Sequence, residues 1–188
     1  VYLVIGLVGK GRHGKQDARL HRYAAVIAAR NEEGVIGELM RDLKAQNYAA
    51  GLLDVFVVAD NCTDGREAVS REAGAVVYER FNKVQVGKGY ALDWLFKRIF
   101  ADKGEQTYDG FFVFDADNLV DPNFVREMNK MFDTGEYAAL TSYRNSKNFC
   151  DNWISAGYAL WFLREARFLN RPRTQLGVNC AVSGTGFL

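Results

Sequence analysis

The sequence predicts an α/β domain with a mainly parallel central sheet and helices on both faces. Three observations carry that reading. Short apolar, β-favouring runs alternate four times with helical patterns across short connections. Three of those runs end directly in clusters of polar residues. The 188 residues are 48% hydrophobic and 25% charged with 2 Pro, which suits one globular domain with a sizeable core.

Tyr23 to Ala29 is the first apolar run and reads as a strand. Arg30-Asn31-Glu32-Glu33 follow, with Asn31 as a helix cap and the two Glu in a first turn. Ile36, Leu39, Met40 and Leu43 then share one helical face. Leu53 to Ala59 is a second strand running into Asp60-Asn61-Cys62-Thr63-Asp64-Gly65, a polar turn that opens a helix through Ala68, Val69 and Ala73. Ala75 to Tyr78 is a third, short strand. Gly87-Lys88-Gly89 opens an amphipathic helix with Leu92, Leu95, Phe96 and Ile99 inward. Phe111-Phe112-Val113-Phe114 is a buried fourth strand. Asp121 caps the next helix with Pro122 at its first position. Tyr137 to Ser142 reads as a further strand, and Trp153 to Leu169 as a long apolar helix. That helix suits a packed core or a face awaiting further chain, with contact to a membrane as the alternative.

Residues 23–188 therefore read as one domain, and residues 1–22 stand apart. Val1 to Val8 are too few to span a bilayer, which needs about 20 apolar residues. They fit either the end of a membrane helix or an N-terminal strand. Lys10, Arg12, Lys15, Arg19 and Arg22 against Asp17 put +4 on residues 10–22 and leave −3 on the rest of a chain whose total is +1. The balance offers no broad footprint for nucleic acid. Gly9, Gly11, Gly14 and Lys15 imitate nucleotide-binding spellings, but Gln16 stands where a P-loop needs Ser or Thr, so a flexible basic linker is the better reading. Cys62, Cys150 and Cys180 are odd in number without C-x-x-C spacing, which speaks against a zinc site or a disulfide framework.

The chemistry concentrates at the strand ends. In an open α/β sheet, ligands bind beyond the carboxyl ends of the strands. Asp115 and Asp117 follow the fourth strand, and in extended backbone both would leave the chain on one side. Carboxylates about 5 Å apart repel by roughly 3 kcal/mol at an effective dielectric near 20, a term that a divalent cation reverses. A polar turn formed by Asp117-Asn118 is the plainer alternative. Lys88 at a helix start opposes the helix dipole, which a bound anion such as a diphosphate would explain.

The order A-A-R-N-E, V-V-A-D-N-C-T-D, G-K-G-Y-A-L, F-D-A-D-N and S-G-T-G-F resembles the family 2 glycosyltransferases of GT-A fold, over residues 23–188. The likeness is to the membrane-associated polysaccharide-synthase members. It implies a nucleotide-sugar donor, UDP-linked in most members, and a Mg²⁺ or Mn²⁺ ion. By motif, Ala29, Arg30, Asn31 and Glu32 would line the nucleoside pocket. Asp60 would contact the base with Asp64 close by, Lys88 would lie near the phosphates, and Asp115 would face the ribose or metal. Asp117 would ligate the metal, and Ser183, Gly184, Thr185 and Gly186 would lie near the donor sugar and acceptor. The implied reaction is single displacement with inversion onto a saccharide or lipid-linked acceptor, at the cytoplasmic face of a membrane in the full-length protein. The family's later acidic motif, which supplies the base, and its Gln-x-x-Arg-Trp segment do not occur before Leu188. The expectation is thus a soluble, C-terminally truncated fragment that binds donor without turnover, its general base lying beyond Leu188. A nucleotidyltransferase and a non-catalytic nucleotide-sugar-binding module are the competing readings.

Overall fold

The computed structural model describes residues 1–30, 33–61, 74–182 and 184–188, with residues 33–35 described by backbone alone. Four strands, β1 (Tyr23–Ala29), β2 (Leu53–Asp60), β3 (Val76–Arg80) and β4 (Gly110–Asp115), form one sheet in the order β3-β2-β1-β4. Every pairing is parallel. Among the described residues the helical elements are α1 (Tyr2–Val8), α2 (Glu33–Lys44), α3 (Lys88–Lys103), α4 (Phe124–Phe132), α5 (Trp153–Arg164) and α6 (Arg171–Gln175), with a π-helical segment (Glu165–Asn170) between the last two.

Side-chain alternation divides the core into two layers. Tyr23, Ala25 and Ile27 of β1 and Phe112 and Phe114 of β4 face the layer that takes Ile36, Leu39 and Met40 of α2 and Val125 of α4. Ala24 and Val26 face the other way with Phe56, Val58 and Val113, against Ala91, Leu95 and Ile99 of α3. Each large side chain fully buried here contributes about 1.5–3 kcal/mol by leaving water. One polar group lies deep in the first layer. Asn129 is 2% exposed. Its Oδ1 accepts from the hydroxyls of Tyr23 and Tyr48, both at 2.9 Å, and its Nδ2 donates to Arg19 O.

Several sequence expectations shift. Residues 1–8 form a helix, not a strand, and α1 lies against the π-helical segment, where Arg167 Nε donates to Gly6 O at 3.3 Å. Among the described residues no helix is long and apolar enough to cross a membrane. Gly9 and Lys10 meet Arg171 and Gln175 of α6, and the chain then passes the C-terminal end of α4, with Arg12 on Glu136, Lys15 on Asp133 and His21 on Asp133. Residues 137–142 are not a strand: Thr141 alone bridges to Phe187, because the partner stretch at 186–188 is too short for a ladder. Helix α4 begins at Phe124. Asp121 instead accepts from Asn123 N at 2.8 Å, making an Asx turn ahead of the helix. The long helix runs past Leu169, but Pro172 lacks the N–H that a regular turn needs, and the preceding turn widens to π spacing. Its apolar face is not packed as core: Ser155 and Ala159 are the buried residues of α5, while Trp153 and Trp161 are 83% and 58% exposed.

Candidate functional site

Register decides where the polar clusters meet. Ala28 lies opposite Asp115, Ala29 opposite Ala59, and Asp60 opposite Arg80. The ends of all four strands are thus level, and the residues that follow them share one edge of the sheet.

Beyond β4 the chain turns at once. Asn118 N donates to Asp115 O at 3.2 Å, so Asp117 sits in a turn, and the extended-strand argument for two parallel carboxylates ends at Asp115. The turn nevertheless brings both to one place. Asp115, Asp117, Asn118, Tyr143, Arg144 and Thr185 are among the residues lining a cleft of about 720 Å³. Residues 143–147 also line it.

Lys88 is the first residue of α3, behind Gly87 at φ 130°, a conformation that L side chains rarely adopt. No acidic side chain occupies that first turn. Lys88 Nζ donates to Asp115 Oδ1 at 2.5 Å and to Gly184 O at 2.7 Å. The anion that balances Lys88 is therefore a carboxylate of the chain itself. Thr185 Oγ1 accepts from Asp115 N at 2.7 Å and donates to Asn118. Gly184 has φ 72°, and a Cβ there would come within 2.7 Å of Arg144 Nη1. Residues 184–186 are in this way stitched to the end of β4. Gly186 N and Phe187 O extend the contact by hydrogen bonds to Val113.

Asp60 lies elsewhere. It is 3% exposed and stands two strands from Asp115, outside the lining of the cleft. Arg80 Nη1 donates to its Oδ1 at 2.5 Å. Arg80 carried no motif in the sequence; its position at the end of β3, next to β2, was the available signal. Ala29 is buried at the end of β1 and Arg30 is exposed just beyond it. Asn31, Glu32, Asp64 and Ser183 lie outside the described residues.

Among the described residues no three of His, Cys, Asp and Glu gather into a group that could hold a metal alone. Asp115 and Asp117 still supply hard oxygen donors at one cleft. Mg²⁺ is commonly bound in that manner, by one or two carboxylates completed by substrate phosphates and water.

The family model described as "Glycosyltransferase like family 2" matches residues 21–188. The chain belongs to glycosyltransferase family 2. Membership removes the nucleotidyltransferase reading. The chain is 31% identical over 166 residues to the hyaluronan synthase of Streptococcus pyogenes, covering 82% of this chain and 37% of that protein. The chain thus spans little more than a third of the length of that relative. A mannosyltransferase from Pyrobaculum calidifontis in complex with GDP-Man and Mn²⁺ shares the fold at TM-score 0.63 and 18% identity, over 79% of this chain and 43% of that one. Glucosyl-3-phosphoglycerate synthase from Mycobacterium tuberculosis with Mg²⁺ and UDP aligns at TM-score 0.52 and 24% identity, over 69% and 46%. TarS of S. aureus with UDP-GlcNAc aligns at 0.55 and 16%, over 68% and 36%. The α/β domain is of the GT-A type.

Proposed function

We propose that the domain binds a UDP-sugar across the strand ends and transfers the sugar, with inversion, to a saccharide or lipid-linked acceptor. The observation that carries this reading is the Lys88–Asp115 pair beside Asp117, at the mouth of the cleft and level with the end of β1. Ala29, Arg30, Asn31 and Glu32 serve the nucleoside, and Asp60 meets the base with Asp64 as a further candidate. Lys88 donates to the diphosphate, and Asp115 exchanges part of its contact with Lys88 for the ribose or a metal. Asp117 and Asp115 would hold Mg²⁺ or Mn²⁺, which would neutralise charge on the departing diphosphate. Ser183, Gly184, Thr185 and Gly186 border the donor sugar.

In the reaction an acceptor hydroxyl oxygen bonds to the anomeric carbon as the bond from that carbon to the diphosphate oxygen breaks. UDP leaves on the opposite face, and a general base takes the hydroxyl proton. The chain's own residues hold the donor so that this face is open to the cleft, whose volume of about 720 Å³ admits a sugar and part of an acceptor.

The exposed apolar face of α5 supports placement of the whole protein against the cytoplasmic face of a membrane, as does relationship to a polysaccharide synthase. A donor-hydrolysis screen across UDP-, GDP- and TDP-sugars on the full-length protein, with Mn²⁺ or EDTA, tests the reading. Preference for a UDP-sugar that is lost in EDTA is the expected result. Equal, metal-independent turnover of all donors would sink it.

A further inference from the structure

Arg80 and Asp60 end adjacent parallel strands and form a buried ion pair, each side chain 4% exposed. The guanidinium is used unevenly. Nη1 donates to Asp60 Oδ1 at 2.5 Å, Nη2 donates to Gln85 O at 2.8 Å, and Nε is buried without a hydrogen-bond partner. Asn61 Nδ2 also reaches Asp60 Oδ1, at 3.2 Å. Well-packed apolar residues close a strand pair at least as stably as a buried ion pair does, so stability alone is a weak reason for this arrangement.

The pair is also wired to the segment that delivers Lys88. Asn61 takes up a left-handed conformation, φ 54°, and pairs its amide with the backbone of Asn82: Nδ2 donates to Asn82 O at 3.0 Å, and Oδ1 accepts from Asn82 N at 2.9 Å. Asn82 Oδ1 in turn accepts from Val84 N and Gln85 N, both at 2.9 Å. The carboxylate of Asp60 is thereby fixed in direction relative to the loop that leads into α3.

We propose that Arg80 is a specificity-determining positioning residue: it holds Asp60 as an oriented, acceptor-only carboxylate, so that the pocket selects nucleobases offering a ring N–H. This rests on the reading above in which Asp60 meets the base. An ionised carboxylate presents lone pairs alone, whereas a neutral acid also donates. Uracil, thymine and guanine carry a hydrogen on the ring nitrogen of the pairing edge. Cytosine and adenine present a bare nitrogen there, which would leave two acceptors facing each other in a buried site. Sites built on a buried polar match reject the mismatched ligand strongly.

The test is calorimetric titration of the 188-residue chain with UDP, CDP and inorganic pyrophosphate, each with Mn²⁺, for the parent, R80Q, R80K and D60N. The parent is expected to favour UDP over CDP by roughly a hundredfold, and R80Q to lose about tenfold of that ratio with pyrophosphate binding unchanged. R80K keeps the charge against Asp60, stays available if R80Q does not fold, and is expected to hold the ratio within about threefold. A UDP-to-CDP ratio in R80Q equal to the parent's, or a tenfold fall in R80K, overturns the role of Arg80. The underlying reading fails separately: D60N is expected to bring CDP close to UDP, and an unchanged ratio there means that Asp60 does not meet the base.

Discussion

Lys88 Nζ lies 2.5 Å from Asp115 Oδ1, joining the first turn of α3 to the last residue of β4. Their side chains are 34% and 39% exposed, so water screens the pair and its share of folding stability is at most about 1 kcal/mol. K88M should therefore leave thermal unfolding almost unchanged while weakening UDP–Mn²⁺ binding by about tenfold or more, since a charged hydrogen bond to phosphate is lost. Calorimetry beside a melting curve separates the two effects. A large fall in melting temperature with intact UDP binding would make the pair structural.

Asp117 is exposed, and Asn118 Nδ2 donates to its Oδ1 at a long 3.4 Å. D117N should change apo stability by less than about 0.5 kcal/mol. It should abolish the added protection that Mn²⁺ gives in the presence of UDP. Thermal shifts with UDP alone, Mn²⁺ alone and both together check this, and undiminished synergy in D117N would remove the residue from the metal site.

Asn129 serves two tyrosine hydroxyls and the backbone N–H of His21 with one oxygen. N129A should cost about 2–4 kcal/mol in urea unfolding, combining a small cavity with the buried Tyr23 hydroxyl left without its acceptor, while the Tyr48 hydroxyl keeps His21 O. N129D restores the acceptor oxygen but buries a charge or an acid, and should recover part of the loss. Equal stability of N129A and the parent would contradict the burial on which this rests.

His21 Nε2, 2.9 Å from one oxygen of Asp133, and Lys15 Nζ, 3.1 Å from the other, hold that carboxyl below its ordinary value of 3.8. A carboxyl depressed by folding stabilises the native state above its unfolded value, and that help is lost as pH falls through the folded value. The acid limb of a stability profile, below about pH 4, should be shallower in D133N than in the parent. Superimposable acid limbs would refute the coupling.

At the other extreme, burial and then the hydrogen bond to Asp102 push the Tyr78 hydroxyl up to about 12. Its neutral form is favoured by folding, so the contribution is complete below the ordinary value of 10 and is lost as pH rises through about 12. Ultraviolet titration should show Tyr78 ionising late together with Tyr23, Tyr48 and Tyr108, whose hydroxyls burial also pushes up, and Y78F should take one tyrosine out of that late phase. An unaltered titration curve would assign the phase to other tyrosines.

The sheet was legible in the sequence because its strands are nearly all apolar. Tyr23–Ala29 matches β1 to the residue, and the α2 face of Ile36, Leu39, Met40 and Leu43 is buried as its spacing required. The Asp115–Asp117 pair was legible as carboxylates at a strand end but not as a geometry. Strand periodicity cannot foresee that a backbone hydrogen bond from Asn118 bends the chain at Asp115. Arg80 was invisible because a charge at a strand end signals nothing until the neighbouring strand is known. The failed strand at 137–142 has the same root: it pairs with 186–188, far along the chain. The apolar face of α5 read as core because composition alone does not say which partner covers it.

The stitching of residues 184–186 to β4 also bears on the order of folding. All four strands lie within residues 23–115, whereas Lys88 and Gly184 meet across 96 residues of sequence. Contacts that close long loops are entropically the most expensive to form early. A chain emerging from the ribosome would assemble its sheet before the segment at 184–188 exists, so the cleft is completed last. Pulsed hydrogen exchange should find the Asp115 amide, which donates to Thr185 Oγ1, protected later than the Ile27 amide at the centre of β1.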